Sequence, residues 1–450
     1  MKKLNKILLD ATIVTIICSV LIFFVVFFAG ILDSFFGISV AIITLFIIYF
    51  TSLALTLWFF GLLYRSVRSI NVKYSGIKKI IFVIFFTVVW YGNSKIVKFY
   101  LFVNSEIENF YDYVVIGDGK RDIEGLVYKF DRDLGFEPVE DSKGFHIKPM
   151  KDKIPVRYNK YGFRIPTKDR SKDEINTDHK SVLFLGCSFT FGDGCLAEET
   201  FPYAVCDSMD MNCLNAGVCG YGLSQMLIRA EYLIPEFKPD YVVIQYSPWL
   251  VKRSVELYAP SYIGLIPNPF FSCDSNKNVS LVKPLFETNL FSFDKFEIKN
   301  KYQNDYLYFY MDFGIPYAID QWKAENIIEG NTIPVCHDID RIENYAYGKI
   351  IETALDNESI PIILNLGNLN YSKRSVNFFS KFEKVEFADA DSLLDYELKF
   401  SGTQDFSREY HHWVMKNDTL HLVDKHPNPK AHKIIAASIL KILEDLQISN

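Results

Sequence analysis

Ser188 stands in a pattern that presents a nucleophile at the end of a buried strand. The apolar run 182–185 predicts the strand, and Gly186 directly after it allows a sharp turn beneath the serine. A serine hydroxyl is a weak nucleophile until a base takes its proton and a carboxylate orients that base. Chemistry at Ser188 therefore needs a histidine and a carboxylate from elsewhere in the chain.

Near the C-terminus, a carboxylate and an imidazole stand two residues apart, at Asp424 and His426. They lie on an irregular segment just before a predicted helix, so both side chains can face the same cleft. A second pair, Asp418 and His421, stands close by with Asp-x-x-His spacing. With either pair, the order along the chain is serine, aspartate, histidine.

The elements that must position these residues alternate between strands and helices. Strands are predicted over 182–185, 213–216, 241–246 and 362–366, and helices over 198–208, 223–235, 345–357 and 429–446. This alternation is typical of an α/β fold with a parallel sheet covered on both faces. Ser188 then falls at the carboxyl end of a strand, where such sheets place their sites. Residues 255–340 interrupt the alternation and are interpreted as an insertion over the site.

Four segments in order resemble the SGNH (GDSL-type) hydrolases. Residues 186–192 are similar to the first block of that family, with Cys187 where aspartate is usual. Residues 215–222 resemble the second block, and 424–428 resemble the last block. Residues 159–164 are similar to a segment that precedes the first block in membrane-anchored members. The resemblance covers the chain from about residue 155 to about residue 447.

This resemblance implies a flavodoxin-like three-layer α/β/α domain that hydrolyses or transfers an ester. It assigns Ser188 as nucleophile, His426 as general base and Asp424 as the residue that orients the base. Because a proline, an asparagine and a helix follow His426 as in the family, we favour it over His421. The backbone N–H groups of Ser188 and of Gly217 or Gly220 would form the oxyanion hole. No metal or other cofactor is implied.

The third block of the family departs from the expected pattern. That block normally supplies an asparagine to the oxyanion hole, but the matching strand continues into Gln245, Ser247 and Trp249 without one. Removing one such donor lowers turnover by roughly 10²–10³-fold in other enzymes. Either Gln245, Ser247 or another group substitutes, or the enzyme is slow or altered. Gln245, Ser247 and Trp249 are candidate substrate contacts, although a structural role is at least as good an interpretation of Trp249.

Several other residues have side chains that could take part in catalysis or metal binding, but a structural role is the preferred interpretation for each. Cys187 is expected to point into the sheet rather than to act as a nucleophile. His432 is interpreted as a packing or capping residue of the last helix. His411 and His412 are adjacent, but without a third ligand they make a weak metal site.

The first hundred residues are strongly apolar. Residues 7–32 and 35–64 predict membrane-spanning helices, and 80–103 predicts a third that contains Asn93, Lys95 and Lys98. Basic residues before the first span and between the second and third are typical of cytoplasmic segments. Three spans would place everything after about residue 105 outside the cytoplasmic membrane. If the third does not cross, the large domain is cytoplasmic.

Composition adds limits to the class of protein. A net charge of −6 with no basic stripe argues against nucleic acid as a partner. Of the eight cysteines, Cys18 falls in the first span, and the spacing of the others predicts no specific disulfide. We therefore predict a transmembrane region over 1–104, a linker and extension over 105–175, and an SGNH-like domain over 176–450.

The functional expectation combines the motifs with the predicted topology. It is a multi-pass protein of the cytoplasmic membrane with an external serine esterase or O-acyltransferase domain. Its partners would be the lipid bilayer and an acylated glycan or lipid of the cell envelope. The alternative is a degenerate SGNH domain that serves as a binding or assembly partner in envelope polysaccharide processing. The motifs leave hydrolysis and acyl transfer equally open.

Overall fold

The structure is a computed structural model whose described residues all belong to one compact unit of the chain. The described residues are 122–125, 127–148, 153–168, 174–256, 258–261, 264–284, 333–367, 379–382 and 384–448. The predicted membrane spans 7–32, 35–64 and 80–103 lie outside these residues. Among the helices that are described, none is long and apolar enough to cross a membrane.

Strands and helices alternate through most of the described chain. The strands are β1 (Asp122–Glu124), β2 (Tyr128–Asp131), β3 (Gly135–Pro138), β4 (Lys143–Ile147), β5 (Ile154–Tyr158), β6 (Arg164–Ile165), β7 (Ser181–Leu185), β8 (Asn212–Asn215), β9 (Tyr241–Tyr246), β10 (Tyr258–Ser261), β11 (Gly264–Pro267), β12 (Phe270–Cys273), β13 (Val279–Val282), β14 (Ile360–Asn365), β15 (Glu386–Asp389), β16 (His412–Lys416) and β17 (Thr419–Asp424). The helices are α1 (Ser188–Phe191), α2 (Phe201–Met209), α3 (Leu223–Phe237), α4 (Pro248–Arg253), α5 (Ile339–Asp356), α6 (Ala390–Leu398), α7 (Phe406–Tyr410) and α8 (Pro429–Ile448).

A five-stranded sheet with the order β15-β14-β9-β7-β8 forms the centre of the domain, and all its neighbouring strands are parallel. Numbered along the chain, this is the 2-1-3-4-5 order of flavodoxin-like folds read from the other edge. The order reverses between β7 and β9, which opens a crevice at the carboxyl ends of these strands. Ser188 follows β7 and therefore lies at this crevice.

Both faces of the sheet are covered, because its strands are apolar on both sides. Leu183 and Ile244 pack with residues of α3, α4 and α5 on one face. Phe184 and Leu364 pack with residues of α2, α6 and α8 on the other face. A strand with no polar face must be covered twice, and the result is the predicted α/β/α arrangement.

A second, antiparallel sheet has the order β1-β4-β5-β6, and β2 and β3 form a separate hairpin. Val127, Tyr158 and other apolar residues of this region pack against Phe191 of α1 and against Val218 and Tyr221 of the loop after β8. The contact buries large side chains directly behind the turn that carries Ser188. The sequence predicted only a linker and extension here.

The predicted strands and helices of the parallel domain are confirmed to within three residues at each end, except that α5 begins six residues before the predicted start at 345. The part of the predicted insertion that the structure describes forms two hairpins, β10–β11 and β12–β13. Cys273 of β12 forms a disulfide with Cys336. The sequence predicted no specific bridge, because these cysteines are 63 residues apart; in the structure, the backbone pairing of Ser272 with Val335 lies beside them. The domain boundaries remain predictions.

Candidate active site

Ser188 is presented by a turn that tolerates no side chain at Gly186. A Cβ added at Gly186 would lie 2.0 Å from Thr190 Oγ1 and 2.5 Å from Gln245 Oε1. With the glycine in place, β7 passes directly into α1, which begins at Ser188. The serine is buried to 4% exposure at the edge of the crevice.

The structure brings Ser188, His426 and Asp424 together. His426 Nε2 lies 2.8 Å from Ser188 Oγ, and His426 Nδ1 lies 2.5 Å from Asp424 Oδ1. The carboxylate also accepts the backbone N–H of His426 at 3.1 Å. With Nδ1–H donating to Asp424, Nε2 is left to accept the serine proton. His421 of the alternative pair lies on β17 and is not part of this arrangement.

The loop that carries His426 is fixed by side chains on both sides. Asn428 donates to the carbonyl oxygens of Glu409 and His411 at 2.8 and 2.9 Å, and its Oδ1 accepts the N–H of Ala431 at 3.0 Å. His412 Nε2 lies 3.1 Å from the carbonyl oxygen of Pro427. These bonds hold the imidazole before a substrate arrives, which is what a positioned base requires.

Three further charged or titratable residues lie behind the imidazole. Lys148 Nζ is 2.6 Å from Asp193 Oδ2 and 2.6 Å from Asp424 Oδ2. Asp193 Oδ2 is 3.6 Å from His426 Nδ1, and Asp193 Oδ1 is 3.3 Å from His146 Nδ1. Lys148 and Asp193 are each 2% exposed, so this layer is withdrawn from solvent.

Mutual pairing decides the ionisation of these residues. Burial raises the pKa of Asp193, but Lys148 and the neighbouring histidines outweigh it and hold that pKa well below its ordinary range. Burial also raises the pKa of Asp424, but the hydrogen bond from His426 outweighs it and keeps the pKa low. Burial lowers the pKa of Lys148, and the two carboxylates more than reverse this. For His146, burial prevails over Asp193 and lowers the pKa.

Arg164 holds the loop that carries Asp193. Its guanidinium donates to the carbonyl oxygens of Phe191, Gly192 and Cys195, the last two at 2.9 and 2.6 Å. The same group lies 4.0 Å from the centroid of the Phe191 ring. Arg164 belongs to the segment 159–164 that the sequence singled out, and this residue supports the site from behind.

The two candidate oxyanion glycines differ in their bonding. Gly217 N–H donates to Asn215 Oδ1 at 3.1 Å, and a Cβ at Gly217 would lie 2.4 Å from the backbone nitrogen of Phe191. Gly217 therefore serves close packing against α1. Gly220 N–H and Ser188 N–H have no acceptor among the residues that the structure describes. Of the two glycines, Gly220 is the better donor to an oxyanion.

The side chains of the third block point inward rather than to the serine. Gln245 Oε1 accepts from Thr190 Oγ1 at 2.8 Å and from the N–H of Cys187 at 3.1 Å, and its Nε2 donates to Ser247 Oγ at 2.8 Å. Ser247 in turn donates to the carbonyl oxygen of Leu366. Neither side chain replaces the asparagine of the family as the structure stands.

Cys187 and Trp249 lie beside this inward network. Trp249 Nε1 and Gln245 Nε2 each lie 3.3 Å from Cys187 Sγ. The thiol is fully buried and packs within the core, as the sequence predicted for it. The Trp249 ring contacts Phe189 at 4.8 Å between centroids, next to the nucleophile.

An apolar cavity of about 210 Å³ opens beside the serine and the histidine. It is lined mainly by aromatic and aliphatic side chains, with three polar residues among them. The lining residues are Phe189, Trp249, Leu366, Gly367, Asp391, Leu394, Phe406, Tyr410, His411, Lys425, Pro427 and Ala431. Phe189 directly follows Ser188, and Lys425 and Pro427 flank His426, so the lining includes the chain neighbours of both residues but neither residue itself.

The remaining histidines have structural surroundings. His432 Nδ1 accepts the N–H of Phe201 at 3.2 Å, and burial lowers the pKa of His432 to about 3. His411 Nδ1 lies 2.9 Å from Ser407 Oγ, and neither His411 nor His412 belongs to a cluster of possible metal ligands among the described residues. The groups in the described chain that could hold a metal are His146 with Asp193 and Cys219, and Asp193 with Asp424 and His426. Both groups include Asp193, whose carboxylate is already paired with the ammonium cation of Lys148.

The sequence reasoning missed Lys148, Asp193 and His146. His146 and Lys148 are two residues apart, so they share one face at the end of β4. Asp193 stands between two glycines just after the first block, so it lies close to Ser188 in the sequence, although aspartate is also common in turns for local reasons. These two signals were available, but neither showed that the residues would meet.

No protein-family model matches the chain, and no curated protein matches it. The chain is similar to solved structures at low identity. One, assigned to the G-D-S-L family of lipolytic proteins from Desulfitobacterium hafniense, has 12% identity and a TM-score of 0.30, covering 58% of this chain and 99% of its own. A GDSL-like lipase from Bacteroides thetaiotaomicron has 13% identity and a TM-score of 0.29, covering 63% of this chain and 93% of its own.

A third similar structure is a carbohydrate esterase family 2 enzyme with a carbohydrate-binding domain from Corynascus thermopiles (Myceliophthora fergusii). It has 11% identity and a TM-score of 0.26, covering 73% of this chain and 87% of its own. The chain resembles the SGNH hydrolases. That resemblance rests on the order of its motifs, the order of its sheet and the contacts of Ser188, because TM-scores this low carry no argument of their own.

Proposed function

We propose that this protein is a serine esterase or O-acyltransferase of the SGNH type. The observation that carries the proposal is the contact chain from Ser188 Oγ through both nitrogens of His426 to Asp424, at 2.8 and 2.5 Å. A histidine placed between a serine and a buried carboxylate is the arrangement that activates a hydroxyl for acyl transfer.

In the first half of the reaction, Ser188 Oγ attacks the carbonyl carbon of the ester while His426 Nε2 takes its proton. The negative charge that develops on the carbonyl oxygen is stabilised by backbone N–H groups, for which Ser188 and Gly220 are the candidates. The tetrahedral intermediate then collapses. The bond to the alcohol oxygen breaks, His426 returns its proton to that oxygen, and the acyl group remains on Ser188.

In the second half, an acceptor hydroxyl attacks the carbonyl carbon of the acyl-serine and gives its proton to His426. The bond from that carbon to Ser188 Oγ then breaks, and His426 returns the proton to Ser188 Oγ, which restores the free serine. Water as the acceptor releases a carboxylic acid, and a sugar hydroxyl gives a new ester. Both outcomes use the same residues, so the triad supports hydrolysis and transfer equally.

The surroundings of the site support an acyl substrate. The cavity beside Ser188 is apolar, which suits the hydrocarbon part of an ester better than a sugar ring with its many hydroxyls. We extend the proposal to acyl esters of cell-envelope glycans or lipids and to a membrane-anchored protein facing away from the cytoplasm. The apolar segments before residue 104 support the anchor, and the Cys273–Cys336 disulfide is typical of oxidising compartments.

A fluorophosphonate probe tests the nucleophile, because only an activated serine displaces its fluoride efficiently. We expect the detergent-solubilised protein to be labelled and to hydrolyse a short acyl ester. Ser188→Ala should lose both properties. The matched control is Ser208→Ala, because Ser208 is an exposed serine of α2 that donates to the carbonyl oxygen of Ala204. Labelling of Ser188→Ala at the native rate contradicts the proposal.

A second candidate function is a degenerate SGNH domain that binds, but does not cleave, an envelope polysaccharide or an assembly partner. The observation that favours it is the inward bonding of Gln245 and Ser247, which leaves the third oxyanion donor missing. Folded protein that neither reacts with the probe nor hydrolyses any ester would support this function over the esterase.

The predicted orientation in the membrane has a separate test. A reporter fused after residue 120 is expected to show activity specific to the outside of the cytoplasmic membrane. Activity specific to the cytoplasm would reverse the proposed location without affecting the esterase proposal.

A further inference from the structure

A buried layer of charge lies behind His426, on the side away from Ser188. Lys148 bridges the two carboxylates, with 2.6 Å from its Nζ to Asp193 Oδ2 and to Asp424 Oδ2. The bond to Asp424 occupies Oδ2 and leaves Oδ1 for His426 Nδ1. Each carboxylate oxygen of Asp424 therefore has its own fixed partner, and the carboxylate cannot rotate without losing one.

The charges in this layer are unbalanced until the reaction begins. Two carboxylates and one ammonium leave one net negative charge beside a neutral imidazole. When His426 takes the proton of Ser188, the imidazolium brings the sum to zero. Because charges buried away from water interact strongly, this balance favours the protonated state of His426 that the tetrahedral intermediate requires.

We propose that Lys148 and Asp193 are positioning residues of the catalytic site, where Lys148 fixes Asp424 and Asp193 shares the charge of the His426 imidazolium. The proposal rests on the esterase function above. Asp193 Oδ2 lies 3.6 Å from His426 Nδ1, close enough to act on its charge although Asp424 holds the direct hydrogen bond. His146 completes the layer by pairing with the other oxygen of Asp193 and stacking on Phe191 at 5.1 Å.

A metal ion is the other explanation for clustered ligands at this position. His146, Asp193 and Cys219 place ligand atoms within 4.8 Å of one another. However, Lys148 Nζ already contacts Asp193 as closely as a hydrogen bond allows, and a second cation there would repel it. The lysine is therefore the cation for which these carboxylates are arranged.

The two positioning residues act on His426 with opposite charge, so their removal should shift the pH profile in opposite directions. The titratable or charged groups around His426 are Asp424, Asp193, Lys148, His146, His411, His412, Lys425 and His432. Only Lys148 and Asp193 are changed in the test, so the other groups stay constant.

Lys148→Met removes a positive charge and keeps a similar volume. We expect kcat/KM at neutral pH to fall by about tenfold or more and the acid limb of its pH profile to move up by roughly one pH unit. The imidazolium forms more readily without the ammonium, or one of the unbridged carboxylates takes a proton, and both changes disable the base at higher pH. Asp193→Asn removes a negative charge, so its acid limb should move down.

The double variant Lys148→Met/Asp193→Asn leaves Asp424 as the only carboxylate at His426 and restores the net charge. We expect its acid limb to return close to the native position and its kcat/KM to exceed that of Lys148→Met alone. Damage to packing alone would be additive and would not produce opposite shifts. Lys160→Met is the matched control, because Lys160 forms an exposed pair with Glu174.

The outcomes separate this inference from the proposed function. If Ser188 is not labelled by a fluorophosphonate in native protein, the esterase proposal fails. If labelling and ester hydrolysis depend on Ser188 but the two single variants shift the acid limb in the same direction, or not at all, the positioning role is wrong. Should Lys148→Met not fold, as judged by thermal unfolding, Asp193→Asn decides alone through the direction of its shift.

Discussion

The two sides of the His426 ring are surrounded by opposite kinds of chemistry. On the Nε2 side lie Ser188, an apolar cavity and the Phe189 ring, whose centroid is 5.4 Å from that of the imidazole. On the Nδ1 side lie Asp424, Asp193 and Lys148, buried and paired with one another. The imidazole therefore separates an apolar surface, suited to a hydrocarbon chain, from a buried cluster of charged side chains.

The two sides also come from different parts of the fold. The Nε2 side is built by the parallel sheet and its helices, in the order expected for a flavodoxin-like domain. On the Nδ1 side, Lys148 directly follows β4 of the antiparallel sheet, and Tyr158 of the same sheet packs with Phe191 of α1. The difference teaches that the parallel domain alone presents the nucleophile. The extension supplies the ammonium of Lys148, which offsets the cost of burying Asp193 as a second carboxylate.

The largest expected effect is on the Nδ1 side, at Asp424. Asp424→Asn should lower kcat by about 10⁴-fold in hydrolysis of a short acyl ester, because an amide favours the wrong tautomer of the imidazole. Asp418→Asn is the control. It changes the aspartate of the alternative pair, Asp418 with His421, on the exposed turn before β17, where asparagine tolerates the positive φ of 56°. Equal losses in both variants would remove the basis for assigning Asp424.

A smaller effect is expected on the Nε2 side, in the choice of acyl chain. The cavity of about 210 Å³ is larger than the ~150 Å³ cavity that holds one benzene, so we expect a preference for chains of roughly six to eight carbons over acetyl. Phe406→Ser opens a half-exposed wall of the cavity. It should lower the ratio of kcat/KM for a p-nitrophenyl octanoate to that for the acetate by about tenfold.

The control for this measurement is Phe400→Ser. Phe400 is 73% exposed and does not line the cavity, so the ratio should stay at its native value. A native enzyme that prefers the acetate, with Phe406→Ser unchanged, would show that the acyl chain lies elsewhere. The Nε2 side would then have to be interpreted as a site for the alcohol part of the ester.

The same division separates what the sequence could predict from what it could not. Strands 182–185 and 241–246 could be predicted because each is an apolar run bounded by turn-forming residues. Ser188 and His426 could be predicted because each stands in a local motif. The contact of Lys148 with Asp193 joins residues 45 positions apart, because the antiparallel region packs against α1, just before Asp193. No local pattern specifies that pairing, so it had to be observed.

Gln245 shows a different limit. The sequence offered Gln245 as a replacement for the missing asparagine, because it stands on the right strand and carries a side-chain amide. In the structure, the amide instead bonds Thr190 and Ser247 beneath the turn. Residue type and position predicted the neighbourhood of the side chain, but the longer glutamine side chain reaches the groups below before it can face the crevice.

The smallest expected effect compares two buried histidines in acid. The pKa of His432 is lowered to about 3 by burial and, to a smaller extent, by nearby His412, Arg164 and His426, whereas for His146 the neighbouring Asp193 opposes the lowering by burial. A folded-state pKa below the unfolded value of ~6.5 gives stability that is complete above ~6.5 and is lost as pH falls, by at most about 1.4 kcal/mol per pH unit. Chemical denaturation between pH 7 and 5 should therefore show a flatter decline for His432→Gln than for His146→Gln. The exposed His179→Gln serves as control, and a steeper dependence on His146 would mean that Asp193 does not offset its burial.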